Sequence, residues 1–184
     1  MLRAFVYLVL GWILIAVVGG MADVLSLTIM LPATSAVILT HAAFSVSTSL
    51  PLGLGVAIAL GYLEDLHQGA PIGTLALAHG LAFLMLRWAS ARFAIGGFLL
   101  RAAAGLFSAL LLDGLTLAIL LVLAEPLEVP RAALLGALGV VHWHALATLL
   151  VAPPLWAGID RLLAALRLDD RPPQQAYWTG AGGS

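Results

Sequence analysis

Between Arg101 and Glu125 the chain reads AAAGLFSALLLDGLTLAILLVLA, residues 102–124, with Asp113 the one ionisable side chain in the run. A helix needs about 20 largely apolar residues to cross a hydrocarbon core of about 30 Å, so this stretch is long enough to span a bilayer. Its composition is typical of the whole. Of 184 residues 62% are hydrophobic and 9% charged, against roughly 45–50% and about 25% in an ordinary soluble domain. Such a chain takes lipid as its solvent. Eight basic and nine acidic side chains leave a net charge of −1, and every basic residue is arginine. That balance supplies no global basic field for nucleic acid. With no cysteine, disulfide frameworks, thiolate nucleophiles and Cys-type zinc sites are excluded.

Charged residues punctuate five further apolar runs. The first covers 4–22, between Arg3 and Asp23, and the second 24–44, with a kink expected at Pro32. The third starts at Pro51, a helix-start residue, and meets Glu64 and Asp65 after about 14 residues, or about 20 Å. Either this helix is short or its acidic end is drawn inward. The fourth run is 71–86, closed by Arg87, and the sixth 132–152, ended by Pro153 and Pro154. The expected architecture is therefore all-α: a six-helix transmembrane bundle over residues 1–154. After the two prolines, Leu155, Ile159, Leu162, Leu163 and Leu166 recur at helical spacing, which predicts an amphipathic cytoplasmic helix on the membrane surface over 155–168. Residues 169–184 are too polar and too rich in proline and glycine to order themselves.

Six crossings put Arg3, Arg87, Arg92, Arg101, Arg161, Arg167 and Arg171 on one side and Arg131 alone on the other. Basic residues favour the cytoplasmic face, so both termini are expected there, in a multi-pass protein of the bacterial inner membrane. Asp23, Glu64, Asp65, Glu125 and Glu128 then lie near the outer face. The run after Arg3 is too long for the apolar core of a cleaved signal peptide. Tyr62, Trp88 and Trp156 are expected at the interfaces as an aromatic belt, and Trp12 and Trp143 between helices.

Ionisable groups at membrane depth are costly, about 2.5–3.5 kcal/mol on insertion scales, and are either paired or functional. Asp113 is such a group, and His79, His142 and His144 lie at comparable depth as possible partners. The pairing reads either as an interhelical hydrogen bond or as a proton or substrate relay. His142 and His144, two apart on a helix, point to nearly opposite faces and cannot share a metal. The Glu64, Asp65 and His67 group lacks a further ligand, so no metal site is expected; His41 reads as a polar interfacial residue. Gly53, Ala57 and Gly61 repeat at four-residue spacing, which lets another backbone approach closely, within the chain or on another protein. Nucleotide loops of the GxGxxG or GxxxxGK[ST] type are absent from the sequence.

The most distinctive stretch runs from Gly61 to Leu77, GYLEDLHQGAPIGTLAL. Asp65 is placed to face the start of the fourth helix, where a carboxylate meets the positive end of the helix dipole. Pro71 suits that helix's first turn and Gly69 a sharp reversal. The turn serves either to fix a helical hairpin or to meet a partner.

This stretch resembles the pattern G-x-x-x-D-x-x-x-G-x-P-x-G-x-x-A-L of the rod shape-determining protein MreD family, matched by Gly61, Asp65, Gly69, Pro71, Gly73, Ala76 and Leu77. The hydrophobic layout over residues 1–155 is also similar, but only this pattern is specific. The resemblance implies a non-enzymatic, cofactor-free subunit of the cell-elongation machinery that helps direct peptidoglycan synthesis. Its implied partners are MreC and, through it, MreB, RodA and a class B penicillin-binding protein, with membrane lipid around it. The Gly53/Ala57/Gly61 face and the Asp65–Gly73 turn are the expected contacts for MreC. The family is similar in fold to the substrate-binding subunits of energy-coupling-factor vitamin transporters, which supplies one alternative; a small proton-coupled carrier using Asp113 is another.

Overall fold

In apolar surroundings backbone N–H and C=O groups must pair with each other, and a helix pairs them locally. The computed structural model describes residues 1–25, 31–69, 71–124 and 131–168, and among them it contains six helices and no strand. These are α1 (Leu2–Leu25), α2 (Thr34–Phe44), α3 (Leu50–Gln68), α4 (Thr74–Ser90), α5 (Gly97–Val122) and α6 (Arg131–Ala165). Glu125, Glu128, Arg171 and the tail 169–184 lie outside the described residues.

Three stretches, Leu2–Met21, Gly97–Val122 and Leu138–Ala165, are long and apolar enough to cross a membrane. Large apolar side chains stand exposed along them, among them Phe5, Trp12, Phe107, Leu121 and Leu150. Soluble monomers rarely expose apolar surface on that scale, and a lipid-facing surface accounts for it.

The helices alternate in direction. Arg3 at the start of α1 donates to the Leu168 carbonyl beyond α6, Arg101 near the start of α5 meets Asp160 near the end of α6, and Arg87 near the end of α4 donates to carbonyls at the end of α2. Hairpins α3–α4 and α5–α6 are the most extensive packings, and α2 is central, touching all five other helices. Every residue of α2 from Thr34 to Ala43 is buried.

The expected helix over 24–44 is not formed as one element. Val24 and Leu25 belong to α1, residues 31–33 are not helical, and α2 begins only at Thr34. Pro32 is the physical reason: it has no N–H, and it disfavours helical geometry at Leu31, so the helix starts after it rather than kinking around it. The eleven residues of α2 rise about 16 Å, half of a hydrocarbon core.

At the other end of the chain the expectation fails in the opposite sense. Pro153 and Pro154 do not terminate the sixth helix; α6 runs through both to Ala165, so 155–165 is not a separate surface helix. Trp156, Ile159 and Leu163 are buried in the bundle, and keeping them there requires helical phase across the prolines. Helical spacing identified that face but not what covers it. Trp156 is consequently not part of an interfacial belt, whereas Tyr62 and Trp88 are exposed; Trp12 and Trp143, expected between helices, also lie on the outer surface.

The small-residue stripe of α3 is used inside the chain. A side chain at Gly53 would enter the ring of Phe83, and one at Gly61 would press on the backbone of Leu75 and Ala76, all on α4; Ala57 is fully buried. Of the two readings of the stripe, a partner within the chain or on another protein, Gly53 and Gly61 take the first, with α4 as the partner. A matching close approach holds α5 to α6, where Gly105 sits against Ala152 and the Thr148 carbonyl. In lipid such backbone proximity contributes by van der Waals packing. Replacing Gly61 by Leu should therefore destabilise the α3–α4 hairpin by about 1–3 kcal/mol, whereas Gly55→Leu, with open space around Gly55, should stay within about 0.5 kcal/mol of the parent. Denaturation of the two variants in detergent micelles checks the contrast.

Candidate functional site

A polar side chain inside an apolar bundle has to find a partner or a cavity. Here the polar groups fall into three sets: one binds the α3–α4 turn, one closes the arginine-bearing end, and one surrounds a cavity towards the other end.

The turn is built on Asp65. α3 ends at Gly69 in the left-handed region, φ 66°, where a residue without Cβ is favoured. Gly73 precedes α4 with φ 97°. The Asp65 carboxylate, 1% exposed, accepts N–H bonds from Gly73 at 2.9 Å, Leu75 at 2.9 Å and Ala76 at 3.3 Å. A carboxylate on one helix thus satisfies the orphan donors that open the next. Pro71, expected in the first turn of the fourth helix, lies instead in the turn before it, where its carbonyl accepts the Thr74 N–H. The acidic end of α3 is drawn inward, since Glu64 is buried as well.

At the arginine-bearing end, Arg3 Nε donates to Tyr7 Oη at 3.3 Å, and Tyr7 Oη lies 2.9 Å from His41 Nδ1. His41 Nε2 lies 3.0 Å from Asp160 Oδ1, whose Oδ2 accepts from Arg101 Nη2 at 2.9 Å. Trp156 packs on the His41 ring at 5.1 Å and beneath the Arg101 guanidinium at 5.7 Å. Four helices, α1, α2, α5 and α6, are tied by this chain of contacts. Both ring nitrogens of His41 are engaged, which ties α2 to α1 and α6 through one side chain. A cavity of about 690 Å³ opens beside it, lined by Arg3, His41, Arg92, Arg101, Trp156 and Asp160. Residue-by-residue reading missed this network because its members are far apart in sequence; its one signal was the ionisable Asp160, beside Arg161, on the continuation of the sixth helix.

The third set lies where α1 nears its end, α2 begins and α3 ends. Of the histidines expected near Asp113, the structure selects His144, with Nδ1 3.9 Å from Asp113 Oδ2. His79 turns to Glu64 instead, Nε2 to Oε2 at 3.5 Å, and holds the Leu75 carbonyl at 2.8 Å through Nδ1. His142 is exposed on the opposite face of α6, beside Trp143. A cavity of about 460 Å³ is lined by Thr34, Ser35, Glu64, Asp113, Thr116 and His144 among others, with apolar walls from Ile15, Leu31 and Leu112. The Asp113–His144 pair and Glu64, the partner of His79, therefore border one space. Among the described residues, no three His, Asp or Glu side chains are grouped to hold a metal ion.

Asp65→Asn should lower stability by about 1–3 kcal/mol, because one oxygen becomes an NH₂ that faces backbone donors. A melt of the purified variant measures it. Comparison of the chain with protein-family models, characterised proteins and solved structures yields no match.

Proposed function

We propose that this chain is a six-pass protein of the bacterial cytoplasmic membrane with both termini in the cytoplasm, and that it acts as a non-enzymatic, MreD-type scaffold subunit of the cell-elongation complex. The observation that carries the reading is the Gly61–Leu77 hairpin. The pattern shared with that family is here a folded unit: Gly61 admits the α4 backbone, Asp65 binds the start of α4, and Gly69 and Gly73 hold positive φ. The alternating helices and the gathering of Arg3, Arg87 and Arg101 at one end support the topology, since arginines favour the cytoplasmic face.

Under this reading the protein works by presenting surface to other membrane proteins. With the α3 stripe covered by α4, the hairpin tip remains the contact for MreC, and through it for MreB, RodA and a class B penicillin-binding protein. Leu66 and Ile72 stand exposed there. A six-helix fold like that of vitamin-transporter binding subunits belongs to the same proposal. One observation favours the alternative of a substrate-binding subunit or an Asp113-dependent carrier, namely the cavity that Glu64, His67, Gln68 and Asp113 line.

Depletion in the native host should round rod-shaped cells, and tagged protein should co-purify MreC; unchanged shape together with no MreC would overturn the scaffold reading. Ile72→Glu at the exposed tip should reduce MreC recovery several-fold while leaving the melting temperature unchanged, as scored by quantitative co-purification.

A further inference from the structure

We propose that the cavity among Ser35, Glu64, Asp113 and His144 is a binding site for a small organic cation bearing a protonated amine. The site is independent of the scaffold reading, and all six helices contribute a wall to it.

Its chemistry is one-sided. Two carboxylates face the cavity, and none of the described residues lining it is an arginine or lysine. The arginines of α1, α4 and α5 serve the opposite end. Among the described residues no group of three metal-ligating side chains accompanies the carboxylates, and their histidine neighbours stand at 3.5 and 3.9 Å rather than in tight pairs, which leaves acceptor capacity for a ligand's ammonium. Its volume of about 460 Å³ lies in the ordinary range of small-molecule pockets, about 300–1,000 Å³.

Independent of the acidic side chains is an unspent hydroxyl. Ser35 is 1% exposed, its Oγ has no hydrogen-bond partner among the described residues, and the residue lines the cavity. A buried hydroxyl without a partner is costly, and an ammonium group supplies the donor it lacks. Asp113 Oδ2 is likewise buried and without a hydrogen bond among the described residues, its histidine being 3.9 Å away. An ammonium has three donors in roughly tetrahedral array, enough for Asp113, Ser35 and a third acceptor such as Glu64 or Thr116. Ile15, Val18, Leu31, Leu75 and Leu112 offer apolar wall to the carbon skeleton. The break before α2 makes room for it: Pro32 and Ala33 line the cavity where a continuous helix would place another turn.

The test is isothermal titration of the full chain in detergent with ethanolamine, 1,3-diaminopropane, histamine and spermidine as chlorides, with glycerol and acetate as neutral and anionic controls. At least one amine should bind saturably at one per chain, and the controls should not. Asp113→Asn should weaken that binding at least about tenfold, the equivalent of one charge-assisted contact, and Ser35→Ala should weaken it several-fold. Arg92→Gln, at the other end, should leave it unchanged. Melting curves of each variant establish that it is folded, and Ser35→Ala carries the test where Asp113→Asn unfolds. Absence of binding by all four amines, amine affinity indifferent to both lining variants, or acetate binding in preference to amines would overturn the proposal. None of these outcomes depends on whether MreC co-purifies.

Discussion

The bundle depends on satisfying the two ends of one short helix buried at its centre. α2 touches every other helix and is buried from Thr34 to Ala43, so neither of its ends can rely on bulk water. Its first turn has no side-chain cap of its own. The Ala33 N–H instead donates to Thr148 Oγ1 of α6 at 2.8 Å, and that hydroxyl donates in turn to the His144 carbonyl. At the far end, Arg87 of α4 donates to the carbonyls of Ala43 and Ser45 at 2.8 and 2.9 Å, placing a cation where the helix dipole is negative. Non-helical backbone is tolerated inside a membrane protein only when protein or a polar cavity meets it. Here both conditions hold.

From that arrangement the two ends of the bundle acquire different characters. Where α2 finishes, His41 joins Tyr7 to Asp160 and Arg101, and opposite charges meet across α5 and α6. Where α2 begins, the nearby ionisable groups are acids and histidines, held at 3.5 and 3.9 Å rather than in tight ion pairs, and a cavity remains between them. Arg3, Arg87 and Arg101 against Asp160 at one end, and Glu64 and Asp113 with no arginine among the residues lining their cavity at the other, give the molecule a polarity along its helices. The same polarity sets its orientation if the basic end faces the cytoplasm.

Some of this was legible residue by residue. Asp65 could be placed against the start of the fourth helix because an acid eight residues before Gly73, with Gly69 between, leaves a hairpin few other geometries. The Asp113 problem was legible too, since an ionisable group within a long apolar run demands a partner. Its partner was not: His79, His142 and His144 are equivalent by depth, and helix rotation, which decides among them, depends on neighbours. Pro32 and Pro153 carry the same local chemistry, yet one stands before a helix and the other lies within one. The difference is tertiary, because Trp156, Ile159 and Leu163 are buried on the continuation of α6, whereas the backbone at Ala33 found Thr148.

What the amino-acid order determined alone was the solvent, the helical class and the positions of most boundaries, because apolar length and charged punctuation act locally and need no partner. Only the folded bundle decided that Gly53 and Gly61 of α3 meet α4, that a distant histidine and aspartate close one end, and that an acid-lined cavity forms at the other. Those outcomes rest on which faces of six helices turn towards each other. Side-chain spacing along one helix restricts that choice, but close packing among all of them makes it.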